Sequence, residues 1–314
     1  MLPYLAKRLL LTIPTLGLVA VIVFVLIRLV PGDPAVVMLG EGADKASILA
    51  LHRDLGLDRP FPVQFLVWVG HAVRGDLGTS IATGEPVAGL IVERFQLTAA
   101  IVLVAVGLAT ALAICGGLLA AWKRDTAWDL GVVGAATLLL SVPSFWLGLM
   151  LLMVFGLRLG WLPVVGYVPA TENARLALLF LVLPIATLTL TESGVLTRMM
   201  RASAIDVLGL DYVTHARAKG LSELTVLRRH VFPNAFAPTL TLVGLTLGHL
   251  LGGIAVIETV FTLPGLGRLM VDAILARDYP VVQGCLLSTG LVYVLINLAV
   301  DLIYPLFDPR VAVA

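Results

Sequence analysis

Charge is scarce in this chain. Asp, Glu, Lys and Arg make up 13% of the 314 residues, and 59% are hydrophobic. Mean hydropathy is +1.02. Soluble domains carry about a quarter charged residues, so this deficit excludes an ordinary soluble fold and points to a polytopic membrane protein. A phosphate-cradling loop is also missing. No Gly-Lys dipeptide occurs anywhere, so ATP hydrolysis by the P-loop route is excluded. Gly-x-Ser-x-Gly and His-Glu-x-x-His are absent as well, and an enzyme is not expected. The five histidines, at 52, 71, 215, 230 and 249, are scattered, and no metal site is expected from them. Cys115 and Cys285, the two cysteines, lie inside apolar runs, read as core residues and do not report a redox compartment. Tandem repeats, low-complexity tracts and heptads are absent, and no nucleic-acid partner is expected.

Long apolar runs are what the chain has instead. A spanning helix needs about 20 apolar residues. Runs of that kind lie at 9–27, 95–122, 130–157, 176–197, 231–257 and 279–300. Only Glu192 interrupts the fourth, and Pro233 and Pro238 should delay the start of the fifth until near Thr239. Six transmembrane helices are therefore expected. Lys7 and Arg8 ahead of the first run would also suit a signal peptide, but the run is longer than a typical h-region and no Ala-x-Ala follows promptly, so a retained span is expected. The basic pairs Lys7-Arg8 and Lys123-Arg124 beside span ends favour a cytoplasmic N-terminus.

Two long pieces do not span. The first, 31–94, should lie outside. Pro-Gly-Asp-Pro at 31–34 terminates the first helix, and Ser47 is expected to cap a short helix running through His52. Phe61, Phe65, Trp68 and Val69 share helical spacing. That pattern fits either an interfacial helix with Trp68 at headgroup depth or packing against the bundle.

The second piece, 198–238, contains DYVTHARAKGLSELTVLRRHVFP at 211–233. Its glycines, Gly209 and Gly220, divide it. A short helix ends at Gly220, whose residue type suits a left-handed C-cap, and Ser222 is expected to cap a second helix. Small residues at Ala216 and Ala218 permit close approach, and Arg217, Lys219, Arg228 and Arg229 offer charge to a partner or to anionic lipid. Spacing alone leaves a docking element and a surface connector equally open.

Ionisable groups inside spans are functional candidates, because burying charge in hydrocarbon is costly. Glu192 lines a pathway, pairs with a basic residue on a neighbouring helix, or lies wet near the cytoplasmic interface. His249, among Gly244, Gly248 and Gly252, either packs between helices or faces a cavity. Glu258 should be solvated or paired at the outer end of its span. Asn297, Asp301 and Tyr304 share one face of the last run and are expected to anchor to Arg198 or Arg201.

Residues 211–233 resemble the EAA loop of ABC-importer permeases. Gly220 falls on that motif's glycine, Ala216 on its second alanine, and Phe232-Pro233 on its Leu-Pro, whereas Thr214, His215 and His230 depart from it. VPGDP at 30–34, GDLGTS at 75–80, ARAKGLSE at 216–223, PGLGRL at 264–269, RDYPVVQG at 277–284 and DPR at 308–310 look like the dipeptide/oligopeptide/nickel branch of that family. The resemblance runs over essentially the whole chain.

The resemblance implies an all-α fold of six transmembrane helices, the ABC type I importer permease. It further implies an N-terminal helix with an external loop region at 1–95, and a core of five helices at 96–310 carrying the coupling loop at about 198–238. Implied partners are a second homologous permease, two ATP-binding subunits, an external substrate-binding protein and membrane lipid. The chain itself would bind no cofactor, with ATP and Mg used by the partner subunits. The location would be the bacterial cytoplasmic membrane. Asp211, Tyr212, Ala216, Arg217, Ala218, Lys219 and Gly220 would meet the ATPase. Glu192 and His249 are the pathway candidates, and Pro264, Gly265, Gly267 and Arg268 would form an external gate or contact the binding protein. Di- or oligopeptide cargo is preferred, with nickel or a metal chelate as the close alternative. An ion-coupled secondary transporter is the competing class, and it would require inverted repeats.

Overall fold

A computed structural model describes residues 2–29, 44–54, 56–164 and 166–304, with two isolated positions at 36 and 39. The VPGDP and DPR strings lie outside the described residues.

The described chain is helical: α1 (Leu2–Leu29), α2 (Lys45–Asp54), α3 (Phe61–Val73), α4 (Val87–Trp122), α5 (Ala127–Ser141), α6 (Ser144–Leu151), α7 (Ala170–Leu208), α8 (Asp211–Ala218), α9 (Glu223–Val226), α10 (Phe232–Gly253), α11 (Ala255–Val260), α12 (Leu266–Leu275) and α13 (Tyr279–Ile303). Two wider π turns, Leu152–Arg158 and Leu227–Val231, extend α6 and join α9 to α10. Five helical stretches are long and apolar enough to span, within α1, α4, α7, α9–α10 and α13. The third run, 130–157, is not straight. It bends by 101° between α5 and α6. Val142 is extended there, and Pro143 withholds an N–H from the helix ladder. Pro184, by contrast, sits inside α7 without breaking it, and the non-helical residue of that helix is Asn173.

Small residues decide how the bundle closes. Along α4, Ile101, Ala105, Ala109, Ala113, Gly117 and Ala121 recur every fourth position and are buried. They form one stripe against α7. A Cβ on Gly117 would stand 2.7 Å from that of Met200, so only glycine lets the two helices approach this closely. The glycines of α10 serve the same purpose toward α13: side chains at Gly244, Gly248 and Gly252 would strike Val300, Tyr293 and Thr289. The tight contact expected of that stripe is present. At the outer side of α13, Gly290 receives Val19 of α1.

Three expectations need correction. Asp44 takes the capping role expected of Ser47, which lies within α2 and donates to it. Arg201 does not anchor Asp301; it makes a bidentate pair with Asp129 of α5, at 2.6 and 2.7 Å. Ser222 precedes α9, yet its hydroxyl meets that of Thr225 at 2.8 Å and caps no backbone N–H. For α3 the structure shows the packing contact. Phe65 and Trp68 pack on Phe24 of α1, with ring centroids 5.4 and 5.8 Å away, while Phe61 remains 62% exposed.

Candidate coupling site and membrane pathway

The α8 helix is short because Gly220 ends it. Its φ of +80° is a conformation that residues with a Cβ enter at a cost of roughly 1–2 kcal/mol. Leu221 N–H then returns to the Ala216 carbonyl at 3.4 Å. The helix lies on an apolar bed: Val213 and Ala216 are buried against Met200, Ala204 and Val207 of α7, and against Val226, Leu227 and Val231. Its other face is open. Asp211, Thr214, His215, Ala218 and Lys219 are exposed, as is Gly220.

The seven candidate contact residues therefore divide. Asp211, Ala218, Lys219 and Gly220 face outward. Ala216 does not: it is the small residue that lets α8 settle onto its own chain, and an outward role for it is withdrawn. Arg217 is half-buried and directs its guanidinium to Glu223, with Nε 2.9 Å from Oε1 and Nη2 3.2 Å from Oε2. The hydroxyl of Tyr212 donates to the His230 carbonyl at 3.0 Å. Partial burial holds that phenol above its ordinary pKa, so it stays protonated and donating.

Within the spans, the two pathway candidates come together. Glu192 of α7 lies within electrostatic reach of His249 of α10. His249 is exposed on this chain, in line with exposed Thr241 and Leu245 at one-turn spacing. It also borders a cavity of about 900 Å³ between α1, α10 and α13, whose polar lining includes Thr15, Tyr293, Asn297 and Asp301.

At the opposite end, distant strings meet. Ser80 of GDLGTS donates to the Asp278 carboxylate at 2.5 Å, and Asp278 caps α13 through Val281 N–H. Glu258 is fully buried, contrary to the solvated setting expected as one option. Its carboxylate accepts from the Thr98 hydroxyl at 2.6 Å and from Arg268 N–H at 2.8 Å, closing the first turn of α12. Burial pushes the Glu258 carboxyl above the usual range, against these donors. Gly265 and Gly267 are buried too. A Cβ on Gly265 would fall 2.0 Å from Glu258 Oε1, and one on Gly267 would fall 2.7 Å from the Ala255 backbone. Both glycines pack against this chain's own residues, and the gate role expected of them needs no exposed surface. Arg268 is accessible and stands 3.8 Å from Asp272.

Residues 113–313 match the family described as the binding-protein-dependent transport system inner membrane component, and residues 1–102 match its N-terminal companion. The chain belongs to this family. The permease is 43% identical over 97% of its length to a protein of Brucella suis biovar 1 named as a peptide transport system permease, and it covers 97% of that protein. It is 42% identical to the glutathione transport system permease GsiC of Escherichia coli O6:H1, with 99% of each chain covered. Among solved structures, an inward-facing MetNI methionine ABC transporter superposes with a TM-score of 0.54 at 19% identity, over 70% of this chain and 96% of the other. That likeness concerns the fold, an all-α multi-pass bundle; the family match makes it an importer permease of the bacterial inner membrane.

Sequence reasoning missed several residues of this permease. Glu223 lies six positions after Arg217, and only the reversal at Gly220 brings them together. Asp129 had a visible sign, a lone acid in the first turn of a span just after two basic residues. Thr98 had none.

Proposed function

We propose that this permease is the transmembrane subunit of an ATP-driven importer of di- or oligopeptides. It pairs with a second permease to enclose the pathway and receives cargo from an external binding protein. Separate ATP-binding subunits supply hydrolysis with ATP and Mg, and they dock on the open face of α8, through Asp211, Thr214, Ala218 and Lys219. The observation that carries this reading is α8 itself: a rigid two-turn helix, buried on one face and fully open on the other, outside the spans. The names of the Brucella and Escherichia relatives support peptide-type cargo. Glu192 and His249 line the pathway, since an exposed mid-span histidine is costly against lipid and is accommodated by water or a second subunit. Pro264 and Arg268, each half-buried on this chain, are the candidates for contact at the outer side, and Gly265 and Gly267 belong to the gate. The division near residue 95 falls within the continuous helix α4, so the N-terminal unit and core share one rod.

The test uses Ala218→Trp. Position 218 is exposed and helical, so the indole obstructs docking without straining the backbone. The tagged permease is co-expressed with its partner permease and ATPase subunits. Capture of the ATPases by wild type and their loss from a normally folded variant support the site; equal capture by both refutes it.

A further inference from the structure

The polar side-chain links described for α8 run in one direction. Val213 and Ala216 touch apolar groups of both flanking segments, so apolar contact does not favour either neighbour. Polar contact does. Tyr212, in the first turn, reaches forward to the carbonyl of His230, and Arg217, in the last turn, reaches forward to Glu223. Backward to α7, the polar connection among the described residues is the backbone turn at Gly209 and Leu210.

The forward anchors lie at the root of α10. His230 belongs to the π turn Leu227–Val231, where Phe232 N–H reaches back five residues to Leu227. Pro233 accounts for the widening, because its ring would strike the Arg229 carbonyl in a regular helix and it has no N–H to give. The His230 carbonyl accepts from Asn234 Nδ2 at 2.9 Å as well as from Tyr212. Arg217 and Glu223 straddle the Gly220 turn with two parallel N–H···O bonds, a geometry that fixes direction as well as distance. Both side chains are more than a third exposed, so the pair adds little stability and its value is angular.

We infer that the Tyr212 hydroxyl and the Arg217–Glu223 pair are positioning groups that fasten the coupling helix to the root of α10, so that its displacement is delivered to the span carrying His249 instead of being absorbed at the Gly220 turn. This inference rests on the reading of α8 as the ATPase contact. It assigns Tyr212 and Arg217 to the permease's own interior linkage and leaves docking to Asp211, Thr214, Ala218 and Lys219.

The experiment needs no cargo. Spin labels are placed at His215→Cys, an exposed α8 position outside the docking set, and Leu245→Cys on α10, in a permease carrying Cys115→Ser and Cys285→Ala. The full complex with partner permease and ATPases is studied in nanodiscs, at rest and trapped with ATP and vanadate. A linked lever gives a narrow distance distribution that is the same in both states. Tyr212→Phe/Glu223→Gln retains stoichiometric ATPases but broadens the distribution by about twofold or more. Restoring Tyr212 and exchanging the pair as Arg217→Glu/Glu223→Arg narrows it again. A distribution as narrow as wild type in the Tyr212→Phe/Glu223→Gln variant overturns the inference, as does a wild-type distance that shifts on trapping. Loss of ATPases from Arg217→Glu without recovery in the exchanged pair also overturns it, making Arg217 a docking charge. Failure of the α8 reading itself shows separately, as undiminished ATPase capture by Ala218→Trp.

Discussion

Position decides what each residue of the coupling segment can do, even for neighbours of identical type. Ala216 and Ala218 are both alanines of one short helix, yet the first is 6% exposed and the second faces solvent. Ala216→Leu must force a larger side chain between α8 and Val226, a strain of about 1–3 kcal/mol, visible as a lowered melting temperature of the purified permease. Ala218→Leu should leave melting within about 0.5 kcal/mol of wild type. Glu258 offers a second contrast at this scale. Glu258→Gln keeps the shape but turns one acceptor into a donor facing Thr98 or the Arg268 N–H. That mismatch costs about 1–3 kcal/mol, read by thermal unfolding in detergent.

At the scale of elements, breaks and clamps matter more than length. The third apolar run is long enough to cross straight, but the extended pair Val142–Pro143 divides it. The α5 half is then held by Asp129, whose two oxygens meet Arg201 of α7 and whose Oδ2 also accepts Asp125 N–H at 3.0 Å. Asp129→Ala removes this hold on the 123–129 turn. With a quarter of the Arg201 side chain still meeting solvent, the loss should be about 1–2 kcal/mol. Limited proteolysis beside Arg124 should accelerate in the same variant.

For the whole molecule, the bundle is fixed by a few close approaches between spans. Gly248 faces a ring in this seam, since a Cβ there would lie 2.6 Å from the Tyr293 ring of α13. Gly248→Leu should therefore lower thermal stability, and Gly248→Leu/Tyr293→Ala should recover part of it. A double-mutant cycle measured by thermal unfolding should return a coupling of about 0.5–3 kcal/mol between these positions. Zero coupling would mean that α10 and α13 do not meet face to face as described.

The sequence by itself determined that the chain is a polytopic helical bundle, where its apolar runs lie and which segment stays out of the spans, because hydrocarbon length and charge scarcity act locally along the chain. Gly220 and Asp278 were legible for the same reason: a left-handed turn and a helix cap are decided within a few residues. Only the tertiary structure decided that Glu192 comes within electrostatic reach of His249, that Ser80 meets Asp278, that Thr98 and Glu258 close α12, and that Arg217 turns to Glu223. Those outcomes depend on which helix faces which and at what rotation, and helix rotation is set by small residues such as Gly117 and Gly248 making contact with side chains far away in sequence.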